Sequence, residues 1–172
     1  LYDFAPLHNP PAVTVIKACQ NVLGSNVPQI TVFDTSFHQT MLNLTSIYPL
    51  PYRYYEKYGI RRFGAHGTSH KYVANECAKI MGRDIKELKI VTCHLGNGSS
   101  ITAVRDGISI DTSMGFTPLA GLLMGTRCGD VDPSAIMYIM EKENLSPAEM
   151  SEIMNKQSGV LGLSEISSDF RD

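Results

Sequence analysis

Lys89-Ile90-Val91-Thr92-Cys93-His94-Leu95-Gly96-Asn97-Gly98-Ser99-Ser100-Ile101-Thr102-Ala103-Val104-Arg105-Asp106-Gly107-Ile108-Ser109-Ile110-Asp111 is the stretch that decides the fold class. Three β-rich runs stand in it, Lys89 to Leu95, Ser100 to Arg105 and Ile108 to Asp111. Gly96-Asn97-Gly98 joins the first pair and Asp106-Gly107 the second, and both contain dipeptides whose positive φ angles suit tight hairpins. The expectation is an antiparallel meander of three strands.

Helical signals surround it. Upstream, Val73, Cys77, Ile80 and Met81 recur at helical spacing, predicting a helix of about 12 residues closed by Gly82. Thr68 or Ser69 is placed to cap it, and His66 is placed just before it, at a strand end. Farther back, Asn9-Pro10-Pro11 opens a helix that Gly24 stops, Gln29 to Phe33 reads as a buried strand ending at Asp34, and Pro51 starts a short helix. Downstream of a glycine-rich loop, Gly115 to Gly129, Asp132-Pro133 opens a helix with Ile136, Ile139 and Met140 on one face. Ser146-Pro147-Ala148-Glu149 is a capping box opening another, and Met137, Met140, Met150 and Met154 are expected in the core. Interspersed strands and helices make an α/β fold.

The totals narrow the function classes. With 43% hydrophobic and 19% charged residues, the chain has the composition of a core-forming domain. A net charge of -2 and the lack of a run of like charges argue against nucleic acid or a membrane surface as partner. Four scattered cysteines, without a C-x-x-C pair, suit reduced thiols better than a zinc site or a disulfide framework. No apolar run approaches the roughly 20 residues of a membrane span. The sequence starts without Met and stops abruptly at Asp172, which suggests a piece of a longer protein.

Chemistry concentrates in glycine loops and at expected strand ends. The turn from His94 through Gly98 to Ser100 could point several N–H groups inward as an anion-binding nest, although a plain Asn-Gly hairpin uses the same residues. It is not a Walker A loop, because no Lys follows the glycines. His66 and His70 have metal-ligand spacing but lack the Glu of H-E-x-x-H and a third ligand, so no metal site is expected within the chain. Asp34 could organise Mg²⁺ or a water, or simply cap the next turn. Arg127, between Gly125 and Gly129, is a candidate guanidinium on a flexible mounting, or an exposed loop Arg. Together these supply the cradle, the cations and the acid that phosphoryl transfer requires.

Five segments, Val32 to His38, Gly64 to His70, His94 to Ser100, Asp111 to Leu119 and Met124 to Gly129, resemble the acetate kinase family in the right order. That family sits within the sugar-kinase, Hsp70 and actin superfamily. The resemblance runs over essentially the whole chain yet covers only the middle of a family member. It implies a ribonuclease H-like mixed sheet flanked by helices, with residues 1–36 ending the N-terminal domain and residues 37–172 beginning the nucleotide-binding C-terminal one.

By the same resemblance, Asp34 corresponds to the acidic residue described as proton donor or acceptor, and His66 and Arg127 to the groups that stabilise the transition state. His94, Leu95, Gly96, Asn97 and Gly98 match the nucleotide phosphate loop, and Asp169, Phe170 and Arg171 an ATP-contacting segment. The implied reaction is reversible transfer of the ATP γ-phosphoryl to acetate, giving acetyl phosphate and ADP, with Mg²⁺, in a cytoplasmic homodimer. The Mg²⁺-contacting Asn and Glu lie outside this sequence, so the 172 residues alone are expected to have little kinase activity. Ala65 is small where the family can carry an aromatic, so a propionate kinase is the alternative, and a nucleotide-binding protein of the Hsp70/actin type is the non-kinase one.

Overall fold

The computed structural model describes residues 9–172. Its backbone divides into two compact units, one ending at Phe33 and the other spanning Asp34–Asp172. The described part of the first unit is helix α1 (Asn9–Leu23) and an irregular tail. The helix stops where Gly24 turns to φ +85° and donates to the Gln20 carbonyl at 2.9 Å. The strand expected over Gln29–Phe33 is not formed. Ile30 and Val32 are exposed, and a β-branched run without a ladder partner has nothing to satisfy its backbone as a strand.

The second unit starts with a 3₁₀ turn (Ser36–Thr40), α2 (Asn43–Ser46), α3 (Arg53–Tyr58) and α4 (Gly67–Met81). After a 3₁₀ turn at Ile85–Glu87 come β1 (Lys89–Leu95), β2 (Ser99–Arg105) and β3 (Ile108–Thr112), antiparallel in the order β1-β2-β3. The expected meander is present, with a bulge between Ala103 and Val104. Asp106 and Gly107 take left-handed backbone as expected, but Gly96 and Gly98 do not. Helices α5 (Pro133–Glu143) and α6 (Pro147–Glu152), a π-helical turn (Ile153–Gln157) and α7 (Gly159–Ser164) complete the unit. Both bonds of the Ser146–Glu149 capping box are made. Among the described residues no helix is long and apolar enough to cross a membrane.

The sheet inverts the usual alternation. Thr92 and His94 on β1 stand opposite Thr102 and Ser100 on β2, and Thr92, Ser100 and Thr102 are buried. On the other face Val91 and Leu95 are exposed. Helix α4 packs on β1 and on the 3₁₀ turn at Ser36–Thr40, and buries Gly67, His70, Ala74 and Ala78. Val73, Ile80 and Met81, the residues whose spacing marks the helix, are all exposed. Small residues let the helix axis approach the strands, and buried His70 finds polar partners there, so polar complementarity wins over hydrophobic spacing. A small apolar cluster of Ala65, Met114 and Met124 lies beside this layer. Of the methionines expected in the core, Met150 is buried but Met137 is exposed, and α5 has no buried residue at all.

Candidate active site

The site is assembled where α4 begins, the β1–β2 hairpin turns and the 115–129 loop passes. His66 is not at a strand end; it is the N-cap of α4, held at φ 59°, a left-handed conformation uncommon for a residue with a Cβ. Neither Thr68 nor Ser69 caps the helix. Asp34 does that work from another segment: its Oδ2 accepts from the His66 N–H at 2.5 Å and its carbonyl from the Gly67 N–H at 2.8 Å. A carboxylate at a helix N-terminus satisfies orphan donors and complements the helix dipole. A Cβ on Gly67 would collide with the Asp34 carbonyl, so this close approach requires glycine.

Two contacts orient the His66 ring. Its Nδ1 lies 2.8 Å from Ser100 Oγ, and its face stacks on His94 with centroids 3.9 Å apart and planes 24° apart. His94 is itself held by Ser69 Oγ at 3.0 Å from Nδ1. Ser69 thus serves the site instead of the helix end.

Arg127 is half-buried and firmly mounted, not flexible. Its Nη1 donates to the Pro118 carbonyl at 2.7 Å. The loop around it is tied to the C-terminal helical segment: Met124 accepts from the Val160 N–H at 2.9 Å, Gly125 from Leu161 at 3.0 Å and Thr126 from Ser158 at 3.1 Å. Gly159 (φ +69°) lies against Met124 and Arg127 backbone, where no side chain would fit. Burial draws the Arg127 guanidinium below its ordinary value, and guanidinium stays protonated regardless. Burial pushes the neighbouring Cys128 thiol up, the opposite of an activated thiolate.

His66 and Arg127 converge on Gly98. A Cβ built there would lie 3.0 Å from Arg127 Nη2 and 3.3 Å from both Cε1 and Nε2 of His66. Within the turn the Gly96 N–H donates to the Gly98 carbonyl at 3.1 Å, which takes that one N–H out of the expected nest. The hairpin's glycines serve close approach instead of left-handed backbone. Asn97 receives the Gly125 N–H on its carbonyl at 3.2 Å, which fixes the tip against the Arg127 loop, while Leu95 projects into solvent.

The Asp169–Arg171 segment reaches the hairpin's neighbourhood through Ser168, whose carbonyl shares the space beside Gly125 with Asn97 Oδ1. Within it, Arg171 grips Asp169 at 2.9 and 2.5 Å, holding that carboxyl below the usual range, and Phe170 is exposed. Among the described residues no cluster of three or more His, Cys, Asp or Glu could hold a metal ion. Asp34 is a single carboxylate with one oxygen already engaged by the His66 N–H.

The structure also brings in Thr92, which the motif reading passed over, and gives Ser69 and His70 roles other than the helix cap and the metal-ligand spacing read from the sequence. His70 is buried, with Thr92 Oγ1 2.7 Å from Nδ1 and Ser100 Oγ 2.7 Å from Nε2. The signal for Thr92 was polar residues at alternate positions on paired strands, Thr92-x-His94 against Ser100-x-Thr102.

A family model described as the acetokinase family matches residues 1–172. The chain belongs to the acetokinase family. This acetokinase-family chain is 63% identical to the acetate kinase of Caldanaerobacter subterraneus subsp. tengcongensis over 170 residues, covering 99% of the chain and 42% of that protein. It is 60% identical over 172 residues to the acetate kinase of Dictyoglomus turgidum, again 42% of that protein's length. The chain thus spans about two-fifths of the curated relatives it matches. Among solved structures it is similar to Porphyromonas gingivalis acetate kinase, with 48% identity, TM-score 0.90, and coverage of 96% of this chain and 41% of that one. A propionate kinase from Francisella tularensis is 50% identical with TM-score 0.91, covering 96% and 42%. These likenesses establish the α/β architecture, which in the described residues consists of helices and a three-stranded antiparallel sheet.

Proposed function

We propose that the acetokinase-family chain provides the transition-state-stabilising wall of an ATP:acetate phosphotransferase. The carrying observation is the meeting of Arg127 Nη2 and the His66 imidazole edge over Gly98, at a backbone turn without a side chain in the way. An imidazole and a guanidinium aimed at one point suit the charge that spreads over the equatorial oxygens of a phosphoryl in flight. The acceptor is a carboxylate, ionised near neutrality since carboxyl pKa values lie near 4. One of its oxygens forms the new O–P bond to the γ-phosphorus in line as the bond to the β,γ-bridging oxygen breaks, leaving ADP. No base is needed for that attack, so Asp34 is assigned the positioning of His66 and the start of α4, consistent with its two bonds there.

His94 to Gly98 and Asp169 to Arg171 are assigned to the nucleotide side, with residues 1–36 ending one domain of the complete enzyme and 37–172 opening the next. Mg²⁺ would arrive on the nucleotide phosphates, and this chain's residues are given no step through it. Propionate is the second reading, favoured by Ala65, whose methyl is the only side-chain bulk on the residue beside His66, and by the likeness to a propionate kinase.

The test is acyl phosphate formation by the full-length protein with ATP and acetate or propionate, trapped with hydroxylamine. Hydroxamate from both acids is expected, differing by about 10- to 200-fold in kcat/KM, the reach of one methylene. Release of ADP without hydroxamate from either acid would sink the kinase reading in favour of a nucleotide-binding protein.

A further inference from the structure

A buried chain of hydrogen bonds runs from the middle of the sheet to His66, and its direction can be worked out from one end. The Thr102 carbonyl only accepts, so Thr92 Oγ1, 3.4 Å away, donates to it. With its one proton spent, Thr92 Oγ1 accepts from His70 Nδ1–H at 2.7 Å. His70 is neutral: burial, then the neighbouring His38, His66 and His94, lower its pKa to about 4. Its other nitrogen, Nε2, therefore accepts, and the Ser100 hydroxyl donates to it at 2.7 Å. Ser100 Oγ then has only lone pairs left for His66, 2.8 Å away, whose Nδ1 must donate.

We propose that Thr92, His70 and Ser100 form a positioning relay that keeps a proton on Nδ1 of His66, leaving Nε2, on the edge against Gly98 and Arg127, as the nitrogen whose proton comes and goes. Neutral His66 then presents a lone pair toward the Gly98 side, and only its imidazolium donates there. Among the described residues, the stacked His94 ring, the Arg127 guanidinium and the Asp34 carboxylate also stand beside His66, and His70 faces it through Ser100. The catalytic consequence rests on the phosphotransferase reading; the proton placement does not.

The test is long-range ¹H–¹⁵N correlation of histidine-labelled full-length protein at about pH 8, where imidazoles of ordinary pKa are neutral. Both His66 and His70 are expected as the Nδ1–H tautomer, the less favoured one in free histidine. Thr92→Val, isosteric and without a hydroxyl, is expected to shift both rings toward Nε2–H, while Thr92→Ser keeps the wild-type pattern. In turnover assays Thr92→Val should flatten the fall of kcat toward alkaline pH, because neutral His66 then carries its proton on Nε2 and can donate at the site, and Thr92→Ser should restore the wild-type pH profile. An Nε2–H signal from either ring in the wild type overturns the relay, a result that stands even if Thr92→Val does not fold. Unchanged tautomers in Thr92→Val, or an unchanged pH profile of kcat in a protein that turns over, overturn it as well. The tautomer pattern in a protein that makes no acyl phosphate upholds the relay and removes the kinase reading alone.

Discussion

Gly98 shows how one residue without a side chain can define a site. Its backbone is not left-handed, so alanine is allowed by conformation; what it lacks is room, with Arg127 Nη2 3.0 Å and His66 Nε2 3.3 Å from the would-be Cβ. Gly98→Ala should therefore fold with stability within about 0.5 kcal/mol of wild type. It should lose kcat on the order of 10²-fold, because displacing catalytic groups by about 1 Å has that effect. Thermal melts beside steady-state kinetics check this, and a variant that melts early instead of turning over slowly would show Gly98 to be structural. The sequence showed that His66, Arg127 and the hairpin were worth attention, since each is a chemically marked residue in a glycine setting. It could not show their common point at Gly98, because residues 66, 98 and 127 meet only through the tertiary path of α4, the β1–β2 turn and the 115–129 loop. Nor could it show Asp34 as a cap: that bond joins positions 32 apart, whereas capping signals in sequence are local.

At the level of elements, the hairpins were legible and the helix face was not. Turn glycines and β-branched runs are local, so the meander came out with its strand ends within a residue. Helix α4 instead turns its small and polar residues to the sheet, which defeats any reading by hydrophobic spacing alone. The junction it needs is close. His38 in the first 3₁₀ turn bonds Ser109 of β3 and the Ala65 carbonyl, both at 2.9 Å, across the segment that contains Gly64. Gly64 has φ +73°, and a Cβ there would lie 2.6 Å from Thr112 Cγ2 and 2.7 Å from His38 Cδ2. Gly59, at the end of α3, has φ +66° and open space around it. Alanine at Gly59 should incur only the left-handed cost, about 1 kcal/mol, whereas alanine at Gly64 adds overpacking for a total of about 3 kcal/mol. Urea midpoints of the two variants decide the matter; equal losses would mean the Gly64 junction yields without strain.

Across the whole second unit, polar residues take much of the interior that apolar ones usually occupy, and two of its buried histidines make stability depend on pH. His38 and His70 are fully hydrogen-bonded as neutral rings and are buried. Burial is the main cause that lowers both pKa values, against the opposing Ala65 carbonyl and Asp34 at His38, and His70 falls from 6.5 to about 4. The unfolded chain therefore takes up protons between these values that the folded chain refuses. The stability associated with a neutral His70 is complete above about pH 6.5, declines as pH falls through that value, and is lost by about pH 4, a total of about 3 kcal/mol. His38 acts in the same direction. Between about pH 7.5 and 5 most carboxylates remain ionised, so a fall in the urea midpoint over that range isolates the histidines. A midpoint that stays level there would mean that one or both rings accept a proton in place. For His70, a second proton would turn Nε2 from acceptor to donor, and Ser100 would then have to send its own proton toward His66, reversing the bond that orients the ring above Gly98.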